Sequence, residues 1–258
     1  MRLGKPQSWR PGIAPIGLTQ GLVVALPFWE VTLTSTGRPR PQNLVTGEYG
    51  TPGASDGGSM RHGRYGVELF TGNFPTSMPY WNVVGVNQNI GFTMMAFVGP
   101  AASTFDAIMF LNDPAGAVYG GYVRQSGTSD LTSLWRDATG ATTLNTLTSG
   151  INQSDNVVVA SLIDNGTQKH HVLMGNGRYF QQSGFASRTC AISRFYLGTA
   201  GGNGWDNQFY CAAVWKRLLS IDEMQLLCAD PFILFRRPKL NVIAASLSAR
   251  RRIITVAA

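Results

Sequence analysis

Few residues in this chain could do chemistry. There are 14 Asp and Glu, three His and three Cys among 258 residues. Hydrolysing a glycosidic bond commonly needs two carboxylates flanking it, about 5.5 Å or about 6.5–9.5 Å apart. Glu68, in "GVELF", is the only acid well inside a predicted strand, and Asp222 and Glu223 fall at a helix start where their role is local. His170 and His171 are adjacent, and neighbours on a strand point to opposite faces, so they cannot jointly grip one metal and read as structural. His62 stands apart from both. Cys190, Cys211 and Cys228 have no metal-ligand spacing and read as buried free thiols, which suits a reducing compartment. Sugar binding needs an aromatic platform beside polar groups. Trp205, followed by Asp206 and Asn207 in the glycine-rich "GGNGWDNQF", is the first candidate, with Tyr80 and Trp81 second. Burial of Trp205 under one end of the fold is the rival reading.

The elements that must position these residues are mostly strands. "GLVVALPF" starts the set, and "RYGVELF" places Tyr65, Val67 and Leu69 on one face. "FTMMAFV" (92–98) is apolar on both faces and so central. "AIMFLND", "AVYGGYVR", "SLWRDA", "ISRFYLGT" and "NQFYCAAVWKR" add further strands. "NVVVASLIDNGTQKHHVLMG" predicts a hairpin turning on Asp164-Asn165-Gly166, because Asn-Gly tolerates the positive φ of a tight turn. Residues 34–64 are polar and full of chain breakers, and predict loop. About ten strands at close spacing exclude a parallel α/β sheet and point to a sandwich or barrel.

One segment departs from that pattern. Ser220-Ile221-Asp222-Glu223 matches a capping box, in which the Ser hydroxyl and the Glu carboxylate each take a backbone amide at the start of a helix. Leu218 precedes the cap, Met224, Leu226 and Leu227 offer an apolar stripe, and Pro231 blocks extension. A helix of about two turns on the sandwich edge is predicted.

Charge is uneven. Residues 1–64 carry seven Lys and Arg against three acids, a net +4; residues 65–230 carry eight against eleven, a net −3; residues 231–258 carry six and no acid. A near-neutral body with basic ends argues against a nucleic-acid groove, since no basic stretch is interleaved with aromatics. It suits either arms that dock on an acidic partner or solvated tails. No apolar run reaches the roughly 20 residues needed to span a bilayer as a helix, and no apolar leader follows "MRLGKPQSWRPG". The expected layout is an N-terminal arm over 1–20, a sandwich over 21–235 and a basic C-terminal arm over 236–258.

With these elements in order, the chain resembles a known family. "AAVWKRLLSIDEMQLLCADPFILFRRP" is similar to the closing strand and short helix of laminin-G-like jelly rolls in the concanavalin A-like lectin/glucanase superfamily. "GLVVALPFWE", "GRYGVELFTG", "FTMMAFVGP", the 155–177 hairpin and "FYLGTAGG" follow the same order, with Phe97 where a Trp is common. The resemblance implies an all-β, two-sheet antiparallel jelly-roll sandwich with one short C-terminal helix and extended terminal arms. The two ends are similar to laminin-G-like proteins encoded among tailed-bacteriophage structural genes.

The superfamily's hydrolases usually carry Glu-x-Asp-x-x-Glu on one strand. No such string occurs here, so the expectation is that the protein is not an enzyme. The family often binds calcium, for which Asn112, Asp113, Asp206 and Asn207 are chemically suitable; both stretches are also plain turn sequences, and no cofactor is expected. The expected role is a structural protein of a tailed-phage virion, a capsid decoration or cement-like protein assembled in the host cytoplasm and displayed on the virion surface. Arg236, Arg237, Lys239, Arg250, Arg251 and Arg252 would dock it on the major capsid protein or another virion protein, with homo-oligomers at symmetry axes and no membrane or specific nucleic acid as partner. The alternative is a carbohydrate-binding host-recognition protein using Trp205, Asp206 and Asn207; a glycan hydrolase is the third reading.

Overall fold

Three apolar runs dictate the centre of the molecule, because a strand buried on both faces must be hydrophobic throughout. A computed structural model describes residues 16–29, 31–33, 39–51, 60–62, 67–69, 80–86, 90–99, 107–112, 119–125, 130–136, 142–148, 157–164, 166–175, 177–183, 192–197 and 208–235. Among these residues the order is α1 (Ile16–Thr19), β1 (Leu22–Pro27), β2 (Val31–Leu33), β3 (Pro39–Pro41), β4 (Met60–His62), β5 (Val67–Leu69), β6 (Tyr80–Asn82), β7 (Gly91–Val98), β8 (Ala107–Asn112), β9 (Tyr119–Gln125), β10 (Asp130–Arg136), β11 (Thr142–Thr148), β12 (Val157–Asp164), β13 (Lys169–Met174), β14 (Tyr179–Ser183), β15 (Arg194–Leu197), β16 (Gln208–Trp215) and α2 (Ile221–Ala229). A 3₁₀ turn, Ile233–Phe235, follows α2.

Two antiparallel sheets form a jelly-roll β-sandwich with one short helix. The first runs β14-β13-β12-β7-β16-β5-β4, with β1 also paired to β16; the second runs β11-β10-β9-β8-β15-β6. β2 and β3 pair separately. The three runs are β7, β12 and β16, adjacent at the middle of the first sheet. Phe92, Met94, Ala96 and Val98 of β7 join the core between the sheets, while Met95 joins a second core on the outer side. Phe28 and Phe209 from the first sheet's side meet Trp81 and Phe195 of the second. The Phe28 and Trp81 rings are edge-to-face at 6.4 Å, a geometry worth about 1 kcal/mol beyond burial. The Trp81 indole N–H is satisfied by the Pro41 carbonyl at 3.2 Å.

The second core corrects the predicted placement of α2. Its capping box forms, with Ser220 Oγ accepting from Glu223 N and the Glu223 carboxylate accepting from Ser220 N. But α2 lies over the outer face of the first sheet rather than on its edge, burying Met224, Leu227 and Cys228 against Met95, Ala160, Leu173 and Ala213. Positions 224, 227 and 228 share a helical face at i, i+3 and i+4 spacing; Leu226 is off that face and exposed. Cys211 and Cys228 are buried free thiols, and burial raises both pKa values, that of Cys228 to about 12. Cys190 lies outside the described residues.

The N-terminal arm predicted over 1–20 also needs revision. Ile16–Thr19 is a helical turn whose Leu18 is buried in the second core. Trp215 Nε1 donates to the Leu18 carbonyl at 2.6 Å. Arg217 donates to the Gln20 carbonyl (2.7 Å) and the Gly17 carbonyl (2.5 Å), and grips both Glu223 oxygens at 2.6 and 2.9 Å. The Arg217 fork holds the Glu223 carboxyl below its ordinary range, opposed by partial burial and helped by Ser220. A depressed carboxylate stabilises the fold above its unfolded pKa and loses that contribution as pH falls through the folded one. Glu223→Gln should therefore cost about 2 kcal/mol at pH 7. In urea titrations the gap between wild type and variant should narrow as pH falls below about 4.5 toward the depressed folded pKa; a gap independent of pH would refute the pairing.

Other differences are local. The 34–64 stretch contains β3, β4 and bridges Gln42↔Tyr49 and Thr51↔Tyr80 rather than loop alone. In it Asn43, fully buried, accepts from the Ala25 and Val45 amides (3.0 and 3.1 Å) and donates to the Val23 carbonyl (3.0 Å). The β12–β13 hairpin is closed by Asp164↔Lys169, so its loop has four residues, 165–168. Positive φ falls on Gln168 (56°), and Asp164 Oδ1 caps the turn by accepting from Thr167 N. Residues 1–15 and 236–258 lie outside the described residues.

Candidate functional site

Period-2 alternation decides what the far strands of the first sheet expose. On β13, His170, Val172 and Met174 are buried, with Val172 and Met174 in the core between the sheets, so Lys169, His171 and Leu173 take the outer face. Cross-strand register then aligns Leu173 with Tyr179, His171 with Gln181 and Lys169 with Ser183. Phe180 packs against the core, leaving Tyr179, Gln181 and Ser183 outward. α2 covers Leu173 and stops short of the rest. The result is an outward polar strip on β13 and β14.

The strip is hydrogen-bonded along its length. His171 Nδ1 lies 2.5 Å from Tyr179 Oη, Tyr179 donates to Gln181 Oε1 at 3.2 Å, and Gln181 Nε2 donates to Ser183 Oγ at 3.1 Å. With the phenolic proton given to Gln181, the first bond needs the proton on His171 Nδ1. Partial burial and the neighbouring Lys169 lower the His171 pKa, opposed by Asp164, which favours the neutral ring at pH 7. His170 is different: burial and His171 lower its pKa to about 3, so it is an uncharged core residue. The Tyr179 ring is 41% exposed and stands 5.9 Å from the His171 ring. A rigid, half-open aromatic flanked by an amide, a hydroxyl and an ammonium can stack on the apolar face of a sugar while bonding its hydroxyls.

The sequence-chosen residues fare differently. Trp205, Asp206, Asn207 and Asp113 lie outside the described residues, as do Arg236, Arg237, Lys239, Arg250, Arg251 and Arg252. Trp81 is core, at 2% exposure, which removes it as a platform. Tyr80 belongs to a seam on the outer side of the second sheet: it meets Tyr196 at 5.7 Å, Arg194 lies 4.3 Å over it, and Tyr196 stacks on Phe110 at 4.8 Å. Phe110 is only 4% exposed, so this seam staples β6, β15 and β8 together rather than forming an open surface. Among the described residues no three His, Cys, Asp or Glu side chains converge as metal ligands. Of the residues weighed for calcium, only the backbone of Asn112, at the end of β8, falls among the described residues.

These features define a two-sheet antiparallel β-sandwich. No protein-family profile and no curated protein sequence matches the chain. Solved structures match it in fold. Trypanosoma rangeli sialidase is 13% identical with a TM-score of 0.59 over 83% of this chain and 33% of that one. The same sialidase with the inhibitor DANA gives 12% and 0.60 over the same shares. The botulinum neurotoxin serotype G binding domain gives 11% and 0.56, over 80% and 50%. The chain thus spans about a third of the sialidases and about half of the toxin domain. At these identities the likeness is one of fold.

They nevertheless correct one expectation. The protein was expected not to be an enzyme because paired carboxylates are missing, yet its sandwich recurs within sialidase chains.

Proposed function

We propose that the protein is a lectin-like, glycan-binding component of a tailed-phage virion, displayed as a capsid decoration protein. The observation carrying the binding role is the exposed Tyr179 ring held in line with His171, Gln181 and Ser183 on paired strands. Sites on strands are pre-ordered, so little entropy is lost on binding. The fold of the sialidase and toxin binding-domain neighbours is compatible with this role. A glycan array with wild type and Tyr179→Ala tests it: bound glycans should lose at least about tenfold in affinity. Silence of the wild type across the array, or binding indifferent to Tyr179, would sink the reading. Release of free sugar from any bound glycan would extend the same reading to hydrolysis.

The virion setting rests on the sequence resemblance of the two ends. Arg236, Arg237, Lys239, Arg250, Arg251 and Arg252 supply six cations without an acid, suited to carboxylate-rich surfaces of the major capsid protein. The described chain ends at Phe235, whose ring meets Trp29, which in turn meets Phe232, whereas Lys169 is level with Gly91 at the start of β7. Removing residues 236–258 should abolish incorporation into particles while the body stays folded; normal incorporation would refute the anchoring.

A further inference from the structure

The polar strip also carries a charge. Lys169 pairs with Asp164 on one side and Ser183 on the other, all three on the outer side of the sheet. Asp164, directly across on β12, keeps its charge but is turned to the loop, accepting from the Thr167 amide at 3.0 Å through Oδ1 and from the Thr167 hydroxyl through Oδ2. Lys169 itself is exposed, and no ion pair engages its ammonium among the described residues. The neighbouring groups that titrate or carry charge are His171, His170, Tyr179, Arg178 and Asp164. His171 and Tyr179 are tied to each other, His170 faces the core, and Arg178, next to Tyr179, has interactions of its own. The strip thus presents an aromatic ring at one end and a cation at the other. From Tyr179 to Ser183 is four residue steps, about 14 Å, the span of a short oligosaccharide rather than a single sugar.

We propose that the strip selects an anionic oligosaccharide, with Lys169 pairing to its carboxylate or sulfate, Gln181 and Ser183 taking hydroxyls, and Tyr179 stacking on the ring at the far end. This rests on the glycan-binding reading above and adds the class of ligand. The ion pair is solvent-exposed, so it sets preference and salt dependence more than total affinity.

The test is titration calorimetry of the full chain with three trisaccharides: neutral, uronate-bearing and sulfated. Wild type should bind at least one charged ligand about threefold to fivefold tighter than the neutral one, and 0.5 M salt should erase most of that preference. The stronger of the two charged ligands identifies the anion. Lys169→Gln should abolish the preference and Lys169→Arg should restore it; as Lys169 is exposed, the fold should be unaffected. Equal binding of all three by wild type, or a preference that survives Lys169→Gln, overturns the charge selection while leaving Tyr179-dependent binding standing. Indifference of all three to Tyr179→Ala removes the glycan reading and this proposal together.

Discussion

Replacing Gly91 with alanine is expected to leave little or no folded protein. Gly91 opens β7 with φ +127°, opposite Asp164 of β12. A Cβ there would lie 2.0 Å from the Ile163 carbonyl oxygen and 2.8 Å from Leu218 Cδ2. The first clash is with backbone at the centre of the sheet, which cannot move without breaking the β7–β12 ladder. A cost above about 4 kcal/mol follows, comparable to much of a domain's net stability. Gly177 separates the clash from the dihedral: its φ is +82°, but nothing lies within 4 Å of its would-be Cβ. Gly177→Ala should cost only about 1–2 kcal/mol. Soluble yield and urea midpoints of both variants decide it, and a Gly91→Ala protein as stable as Gly177→Ala would refute the steric account.

Asn43→Ala should be nearly as damaging. The side chain makes three hydrogen bonds to the backbone, two of them to β1, and removing it strands the Ala25 and Val45 amides and the Val23 carbonyl. Each unmet buried group costs about 1–3 kcal/mol. A total near 3 kcal/mol or more is expected in urea denaturation, with protection of the Ala25 amide against hydrogen exchange falling in parallel. Asn43→Asp keeps the acceptor but loses the donor and buries a charge, so it should fail to rescue. A loss below about 1 kcal/mol for Asn43→Ala would mean that β1 does not depend on this loop.

What could be read in the sequence was whatever a linear pattern records. β7, β12 and β16 were legible because burial on both faces forces unbroken apolar runs, and the capping box because Ser220 and Glu223 are three residues apart. Short strands such as β3, β4 and β6 were not, since three residues carry no periodicity. β11, "TTLNTLT", was passed over because its threonines look like turn residues although they suit a strand equally well. The candidate site was hidden differently. His171 was set aside as structural, and Trp205 drew attention as an aromatic in a glycine-rich loop. The strip is assembled across β13 and β14 by register, and only "YFQQS", with polar residues alternating around an inward Phe180, hinted at it.

β1 finds its strand partner only in β16, nearly two hundred residues later, and α1 is tied to Trp215 and Arg217. Before β16 is made, β1 has no strand partner among the described residues and is held only by its bonds to Asn43 and Leu44. Such distant closure slows folding and prolongs exposure of an apolar segment to other nascent copies.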